Sequence, residues 1–269
     1  MRRRQHGVAL LMVLWMVLLM SGLLAAFAMT ARVEHIAGRT AAAQVVAQQA
    51  ARAGLEYAVS RMGGSDPGRR WTPDGSGHDL TFGGAQVRVN VRDESGKVDL
   101  NASDRPLLSG LLAGTGMPRA QAERLAGAII DWRDADTLVQ VGGGAEDGDY
   151  RAAGLPYGAK DAPFESVEEL RQVLGITAEA FDALSPYLTV HTGRALPDPA
   201  WADGPVLAAS GQQAPATPPL GGGSGTYSID STAQLADGRG ARLSVLLRVG
   251  GNGLPGSTYT PLRWRAGTR

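Results

Sequence analysis

An uncharged apolar run stands near the N-terminus of the chain. Residues 8–29 carry no charged side chain, and a helix rising about 1.5 Å per residue would take them across a hydrocarbon layer of about 30 Å. Arg2, Arg3 and Arg4 precede the run. Because basic flanks stay on the cytoplasmic side, the pattern predicts one membrane-spanning helix with the rest of the chain on the far side.

This helix is predicted to continue beyond the membrane as a stem. No proline occurs between residues 31 and 62. Small or apolar residues recur there at nearly helical spacing: Val33, Ile36, Ala43, Val46, Ala50, Ala53, Gly54, Tyr57 and Ala58. Such small residues suit close packing between helices.

Two other interpretations of the N-terminal segment stay open. Ala26-Phe27-Ala28 has the form of a secretory cleavage site, although the apolar run exceeds the roughly 7–15 residues of a signal sequence. An ordinary single-pass anchor is the second interpretation, although such an anchor needs no glycine directly before its apolar run.

Alternating apolar and polar residues predict strands in two regions. Val87, Val89 and Val91 alternate with polar neighbours, a period of two that is typical of a half-buried strand. The same pattern runs from residue 243 to 249, after a turn signal at Asp237-Gly238. Shorter apolar pairs at 227–229 and 262–264 complete a predicted antiparallel sheet.

Between these two regions the periodicity becomes helical. Residues 107–112 predict one helix, and Pro118 is typical of the first turn of a second. Ser166 and Glu169 form a capping-box pattern before a third helix, and Gly175-Ile176-Thr177 leads into a fourth. This last pair looks like a SAM-like helix-hairpin-helix. Its acidic surroundings argue against binding to nucleic acid phosphates.

The predicted fold class is α+β, with a long N-terminal transmembrane and stem helix packed on an antiparallel β-sheet and interrupted by an all-α insertion domain. The predicted divisions are a leader at 1–7, the transmembrane and stem helix at 8–62, the first part of the β domain at 63–103, the helical insertion at 104–195, a flexible Pro/Gly-rich connection at 196–225, and the C-terminal β part at 226–269.

Composition removes several function classes. The 26 basic and 26 acidic residues balance, so the global charge does not indicate a polyanionic partner. The chain has no cysteine, which excludes disulfides, thiolate metal sites and thiol nucleophiles. Its four histidines are scattered among leader, stem and loops. Because no catalytic constellation is visible, the sequence predicts a protein that is not an enzyme.

One acidic cluster is a candidate for chemistry. Six carboxylates flank the segment Gly142-Gly143-Gly144: Asp131, Asp134, Asp136, Glu146, Asp147 and Asp149. Carboxylate oxygens around a flexible segment could wrap a calcium ion. The spacing of an EF-hand is absent, and on residue types alone a solvated acidic loop is the alternative.

The start of the chain resembles type IV pilin-like proteins. A short basic leader ends at Gly7, directly before Val8. In that family a membrane prepilin peptidase cuts after such a glycine, so the resemblance implies cleavage between these two residues. Most pilins carry a glutamate at the fifth mature position, where this chain has Met12. A carboxylate in the bilayer is costly unless a neighbouring subunit pairs with it, so a subunit with nothing ahead of it needs none.

Longer motifs resemble the protein K family of minor pseudopilins in bacterial type II secretion, which also lacks that glutamate. They are Asp131-Trp132-Arg133-Asp134-Ala135-Asp136, then Gly143-Gly144-Ala145-Glu146-Asp147 with Tyr150, then Phe164-Glu165-Ser166-Val167-Glu168-Glu169-Leu170, and finally Leu184-Ser185-Pro186-Tyr187-Leu188-Thr189-Val190. The resemblance weakens at 137–141 and does not extend to the Pro-rich region after residue 196.

The resemblance implies a subunit anchored in the inner membrane, with its C-terminal domain in the periplasm at the tip of a pseudopilus that helps to export folded proteins across the outer membrane. It implies I-type and J-type pseudopilins as partners, and a head displayed to the secreted substrate or the outer-membrane channel. It also implies calcium, with Asp134, Asp136, Glu146 and Asp147 as the expected ligands. A periplasmic enzyme or calcium-binding module on an ordinary signal anchor is the competing interpretation.

Overall fold

The structure is a computed structural model that describes residues 6–63, 70–217, 222–250 and 258–268. The three leader arginines lie outside the described residues.

A single helix, α1, spans His6–Gly63. Its 58 residues correspond to a length of about 87 Å, as the absence of proline predicts. The N-terminal half is long and apolar enough to span a membrane. Its most apolar stretch of 18 residues has a mean hydropathy of 2.5, and none of these residues is buried. Large side chains such as Leu10 and Phe27 are largely exposed there.

Five strands form one antiparallel sheet: β1 Asp74–Phe82, β2 Ala85–Asp93, β5 Thr226–Gln234, β6 Gly240–Val249 and β7 Tyr259–Thr268. Their order in the sheet is β1-β2-β5-β6-β7. Strands β2 and β5 are direct neighbours, paired from Gln86 with Gln234 to Asp93 with Tyr227. Everything between them in the chain is therefore an insertion into one strand pairing.

The stem helix and the sheet share an apolar core. The alternation predicted in β2 is confirmed, since Val87, Val89 and Val91 are buried while their neighbours are more exposed. Small residues let α1 lie close to this face, among them Ala47, Ala50, Ala51 and Ala58. Gly54 is the tightest position, because a Cβ there would lie 2.7 and 2.9 Å from methyl groups of Val87 and Val89.

The sheet has a defined direction along the stem. At one end, Gln44 Nε2 donates to the carbonyl oxygen of Gly240, at the start of β6. At the other end, the Tyr259 hydroxyl donates to Glu56 Oε1 at 2.9 Å, and Tyr259 pairs with Val249 at the end of β6. Because Gln44 lies nearer the apolar half of α1, the insertion leaves and re-enters the sheet at the end that is distal to that half.

The insertion folds around a second apolar core of its own. Its α-helices are α2 Arg105–Gly114, α3 Arg119–Arg133, α4 Asp147–Ala152, α5 Ala178–Leu184 and α6 Gly204–Ser210. It also has 3-10 helices at Glu94–Gly96, Val167–Gln172 and Ser185–Tyr187. Two short strands, β3 (Val98–Asp99) and β4 (Leu188–Thr189), pair in parallel.

The structure corrects four details of the sequence analysis. The insertion is not wholly helical, because β3 and β4 pair within it. The third predicted helix is a 3-10 segment, although its Ser166 and Glu169 capping box is present. The connection predicted to be flexible contains α6, whose Val206 is buried in the insertion core. Pro118 is the N-cap of α3 rather than part of its first turn.

Candidate functional sites

Three predicted carboxylates meet near the C-terminal end of α3. Asp134 is the C-cap residue of that helix. Asp136 follows in the next loop, where its carboxylate accepts from the Leu138 amide at 2.8 Å. Glu146 stands directly before α4. One carboxylate oxygen of each lies within 4.8 Å of the others, so a residue from each end of the loop reaches the same point.

Two oxygens of this group are buried without a hydrogen-bond partner among the described residues. They are Asp134 Oδ1 and Glu146 Oε1. Burial, together with nearby carboxylates of which Asp131 acts most strongly, raises the pKa of Glu146 to about 7. Burial and the charge of Asp136 also raise the pKa of Asp134. Such unsatisfied acceptors are costly unless a cation or a proton joins them.

Asp131 fixes the loop that carries the group. Its side chain is fully buried, and its carboxylate accepts from the Ala145 amide at 2.7 Å and from the Gln140 amide at 3.2 Å. The glycine segment is packed rather than free, because a Cβ on Gly127 of α3 would lie 1.8 Å from the Gly143 carbonyl oxygen. Asp131 is thus a positioning residue beneath the other three carboxylates.

Asp147, the fourth predicted ligand, does not join the group. It is exposed on the first turn of α4, and its Oδ1 lies against Gly158, where an added Cβ would be 1.7 Å away. Glu146 is the N-cap residue with extended backbone, whereas Asp147 is the first helical residue, and their side chains lie at different places.

Asp161 is a residue that the sequence analysis missed. Its charge contributes to the raised pKa of both Asp134 and Glu146. Its backbone φ is 52°, a left-handed conformation that is unusual outside glycine and common at functional sites. The positive φ could not be predicted from an isolated aspartate in a loop.

The residues present fit a hard divalent cation. Calcium takes six to eight oxygen ligands, and this site offers three converging carboxylates, two of them with unsatisfied oxygens. The nearby cation Arg133 is directed elsewhere, because its guanidinium donates to the carbonyl oxygens of Leu100 and Ser103.

The predicted cleavage junction lies inside α1. The helix passes through Gly7 and Val8, and the exposure of these two residues is not described. Met12 lies one turn further on and is 71% exposed. In the isolated chain the apolar half of α1 therefore presents side chains on all sides, as a helix surrounded by lipid or by other helices does.

Comparison with known proteins gives consistent matches. The family described as "Type II secretion system (T2SS), protein K" matches residues 88–193. The type II secretion system protein K of Pseudomonas aeruginosa is 31% identical over 239 residues, which cover 78% of this chain and 69% of that protein. The protein K of Pectobacterium carotovorum is 29% identical, over 70% of this chain and 63% of that protein.

A solved structure shares the fold. In the GspK-GspI-GspJ complex of enterotoxigenic Escherichia coli, one chain matches with a TM-score of 0.63 and 20% identity. The match covers 85% of this chain and 99% of that one.

Proposed function

Because this chain belongs to the type II secretion system protein K family and is a minor pseudopilin, we propose that it forms the tip of the pseudopilus and assists export of folded proteins across the outer membrane. Its role is structural rather than catalytic. In this proposal, α1 is held in the inner membrane and the remainder lies in the periplasm, where it binds I-type and J-type pseudopilins like those that accompany GspK in the solved complex.

The observation that carries the tip position is the placement of the insertion. It leaves the sheet at the end distal to the apolar half of α1. Subunits of a pilus-like fibre stack head to tail along their stems, which is a heterologous interface. A large head above the stem of this subunit obstructs the position that a subunit ahead of it would need.

Met12 supports the same position. A glutamate in the membrane needs a partner on the subunit ahead, and the terminal subunit has none. We further propose that prepilin peptidase cuts the chain between Gly7 and Val8, as it does in pilin-like proteins.

Calcium is proposed as the ion of the acidic group, with Asp134, Asp136 and Glu146 as ligands. When bound, calcium would supply positive charge and oxygen coordination at that point. These residues would tie the end of α3 to the start of α4, and the buried Asp131 would hold the loop between them. Asp161 is proposed as a further contributor of negative charge.

The competing function is a periplasmic enzyme or calcium-binding module on an ordinary signal anchor. No observation on the described residues favours it over the pseudopilin role, and the sequence offers no catalytic constellation.

Co-purification tests the proposed assembly. The detergent-solubilised full chain is co-expressed with the I-type and J-type pseudopilins of the same bacterium. Val46 lies on the stem and is 44% exposed, on a surface that other stems would cover. Val46→Glu is expected to lower recovery of the partners about tenfold or more, because it places a charge in an apolar helix contact.

Gln48→Glu is the matched control, since it adds the same charge at an exposed polar position on the other side of the helix, about 200° from Val46. Recovery should stay close to that of the natural chain. Equal recovery with Val46→Glu, or no recovery with the natural chain, would contradict stem-mediated assembly. In the same assay Met12→Glu should weaken recovery and Met12→Leu should not.

A further inference from the structure

The molecule has two parts: the head, which is the insertion at residues 94–225, and the body, which is the stem with the five-stranded sheet. Each has its own apolar core, and among the described residues the two cores share no side chain. The contacts between head and body therefore lie outside both cores, and they include hydrogen bonds and ion pairs, which respond to salt differently from apolar packing.

The head is joined to the body by a narrow neck. Asp93, the last residue of β2, is buried and accepts hydrogen bonds from the amides and hydroxyls of Ser95 and Ser224. It thus links the entry and the exit of the head. Gly223 and Gly225 on the exit side have φ of 136° and 88°. Both lie in a region of φ where glycine turns with little steric cost.

Away from the neck, ion pairs join the two parts. Glu168, on a 3-10 helix of the head, accepts from two arginines of the edge strand β7. Its Oε1 is 3.2 Å from Arg263 Nη1 and 2.7 Å from Arg265 Nη2. Arg92 of β2 pairs with Asp203, directly before α6. Since all five side chains are partly exposed, these pairs are accessible to solvent ions.

These ion pairs line a cleft of about 510 Å³ between the head and the sheet. The sheet contributes Ser228, Ser244 and Leu246, and the head contributes Phe181 and Tyr187. The facing surfaces are thus separated by open volume over part of their area. Neither of the two apolar cores crosses the cleft, and Leu246 of β6 is a buried apolar side chain that lines it.

We propose that Glu168, with Arg263 and Arg265, forms an ionic latch that holds the head closed on the sheet, and that the head pivots about the Asp93–Ser224 neck when the latch is released. The latch sets the orientation of the head relative to the stem. This motion does not depend on calcium, whose proposed ligands lie within the head.

Distance measurement between spin labels tests the latch. The chain has no cysteine, so labels at Ala183→Cys in α5 and Gln49→Cys in α1 report only the separation of head and body; both sites are exposed. Double electron–electron resonance is recorded on the detergent-solubilised full chain. Raising the salt from about 0.1 M to about 1 M should lower the ratio of closed to open distances, by up to about fivefold.

Glu168→Gln should raise the open population at low salt, and Arg263→Gln combined with Arg265→Gln should raise it to the same extent. The triple variant should open no further, since both changes remove one interaction. Asp182→Asn is the matched control, because Asp182 pairs with Arg171 at 3.0 Å entirely within the head. Its distances should match those of the natural chain.

One narrow distance distribution that is unchanged by salt, by Glu168→Gln and by the arginine pair would overturn the latch. The same broadening in Asp182→Asn would also overturn it, because a general loss of charge would then be the cause. Near-ultraviolet circular dichroism identifies any variant that fails to fold. If Glu168→Gln fails, the variant of Arg263 and Arg265 tests the latch, and if that variant fails, Glu168→Gln tests it.

Discussion

The body and the head each have an apolar core, but the head adds buried carboxylates to it. The body packs alanines and one close glycine of α1 against alternating valines of the sheet, and this core requires no buried charge. The head buries Asp99, Asp131 and Glu146, and two more buried carboxylates, Asp93 and Glu94, stand at its neck. Apolar packing is insensitive to pH and ions, whereas buried carboxylates depend on the donors and cations that satisfy them.

This contrast separates assembly from regulation. A body with a uniform core provides a rigid rod on which other subunits can stack. A head with unsatisfied carboxylates and an ionic junction can change its stability and orientation with the solution around it. Variants that disturb one part should leave the other largely intact, because the two cores share no described side chain.

The largest effect is expected from Gly54→Leu in the body. A Cβ there would meet Ser231 Oγ, Val87 and Val89 at 2.6 to 2.9 Å, and the branched valines have little freedom to move. We expect a loss of about 3 kcal/mol or more of unfolding free energy, measured by urea unfolding of the full chain in detergent.

Gly38→Leu is the control, since an added Cβ at Gly38 meets no atom within 4 Å. It should leave stability unchanged or raise it by up to about 0.8 kcal/mol through helix propensity. Similar losses in both variants would show that the contact of stem and sheet is not the cause.

A smaller effect is expected in the head, from calcium and pH. The pKa of Glu146 is raised in the folded chain from 4.5 to about 7. A raised carboxyl pKa means that the folded state binds more protons than the unfolded state between these values. Without calcium, the contribution of Glu146 to the free energy of unfolding should therefore fall by about 1–3 kcal/mol as the pH rises from 4.5 through 7. Glu146→Gln should remove this pH dependence.

Millimolar calcium should raise the melting temperature of the head by a few degrees, more at pH 8 than at pH 5 because the ligands must be deprotonated. Tryptophan fluorescence, to which the buried Trp132 of the head core contributes with the other four tryptophans, reports the transition. The double variant Asp134→Ala with Glu146→Ala should lose the shift, and Asp147→Asn should keep it. A shift that persists in the double variant would place the ion elsewhere.

Much of the fold could be predicted because its pattern is local. The body is predictable from two local patterns, the alternation in β2 and β6 and the absence of proline along α1. Strand β1 escaped prediction, because Asp74–Phe82 contains two glycines and few apolar residues, and its neighbour β2 supplies the pairing. Helix α6 escaped because its sequence resembles a linker, and packing against α2 stabilises it.

The candidate site was predictable in part. Asp134, Asp136 and Glu146 stand in motifs that flank one loop, and the loop brings them together. The sequence could not separate Glu146 from Asp147, because the direction of each side chain depends on where α4 begins. Asp161 comes from a distant loop, so only the tertiary fold reveals its proximity.

The mature N-terminus is the most direct test of the central claim, which is that this subunit remains in the membrane through α1 and enters a fibre. Mass spectrometry of the protein from membranes of its own bacterium should find Val8 as the first residue, with a methylated amine. A chain that begins near Met29 and is recovered in the soluble fraction, or one that keeps Met1, would contradict the account.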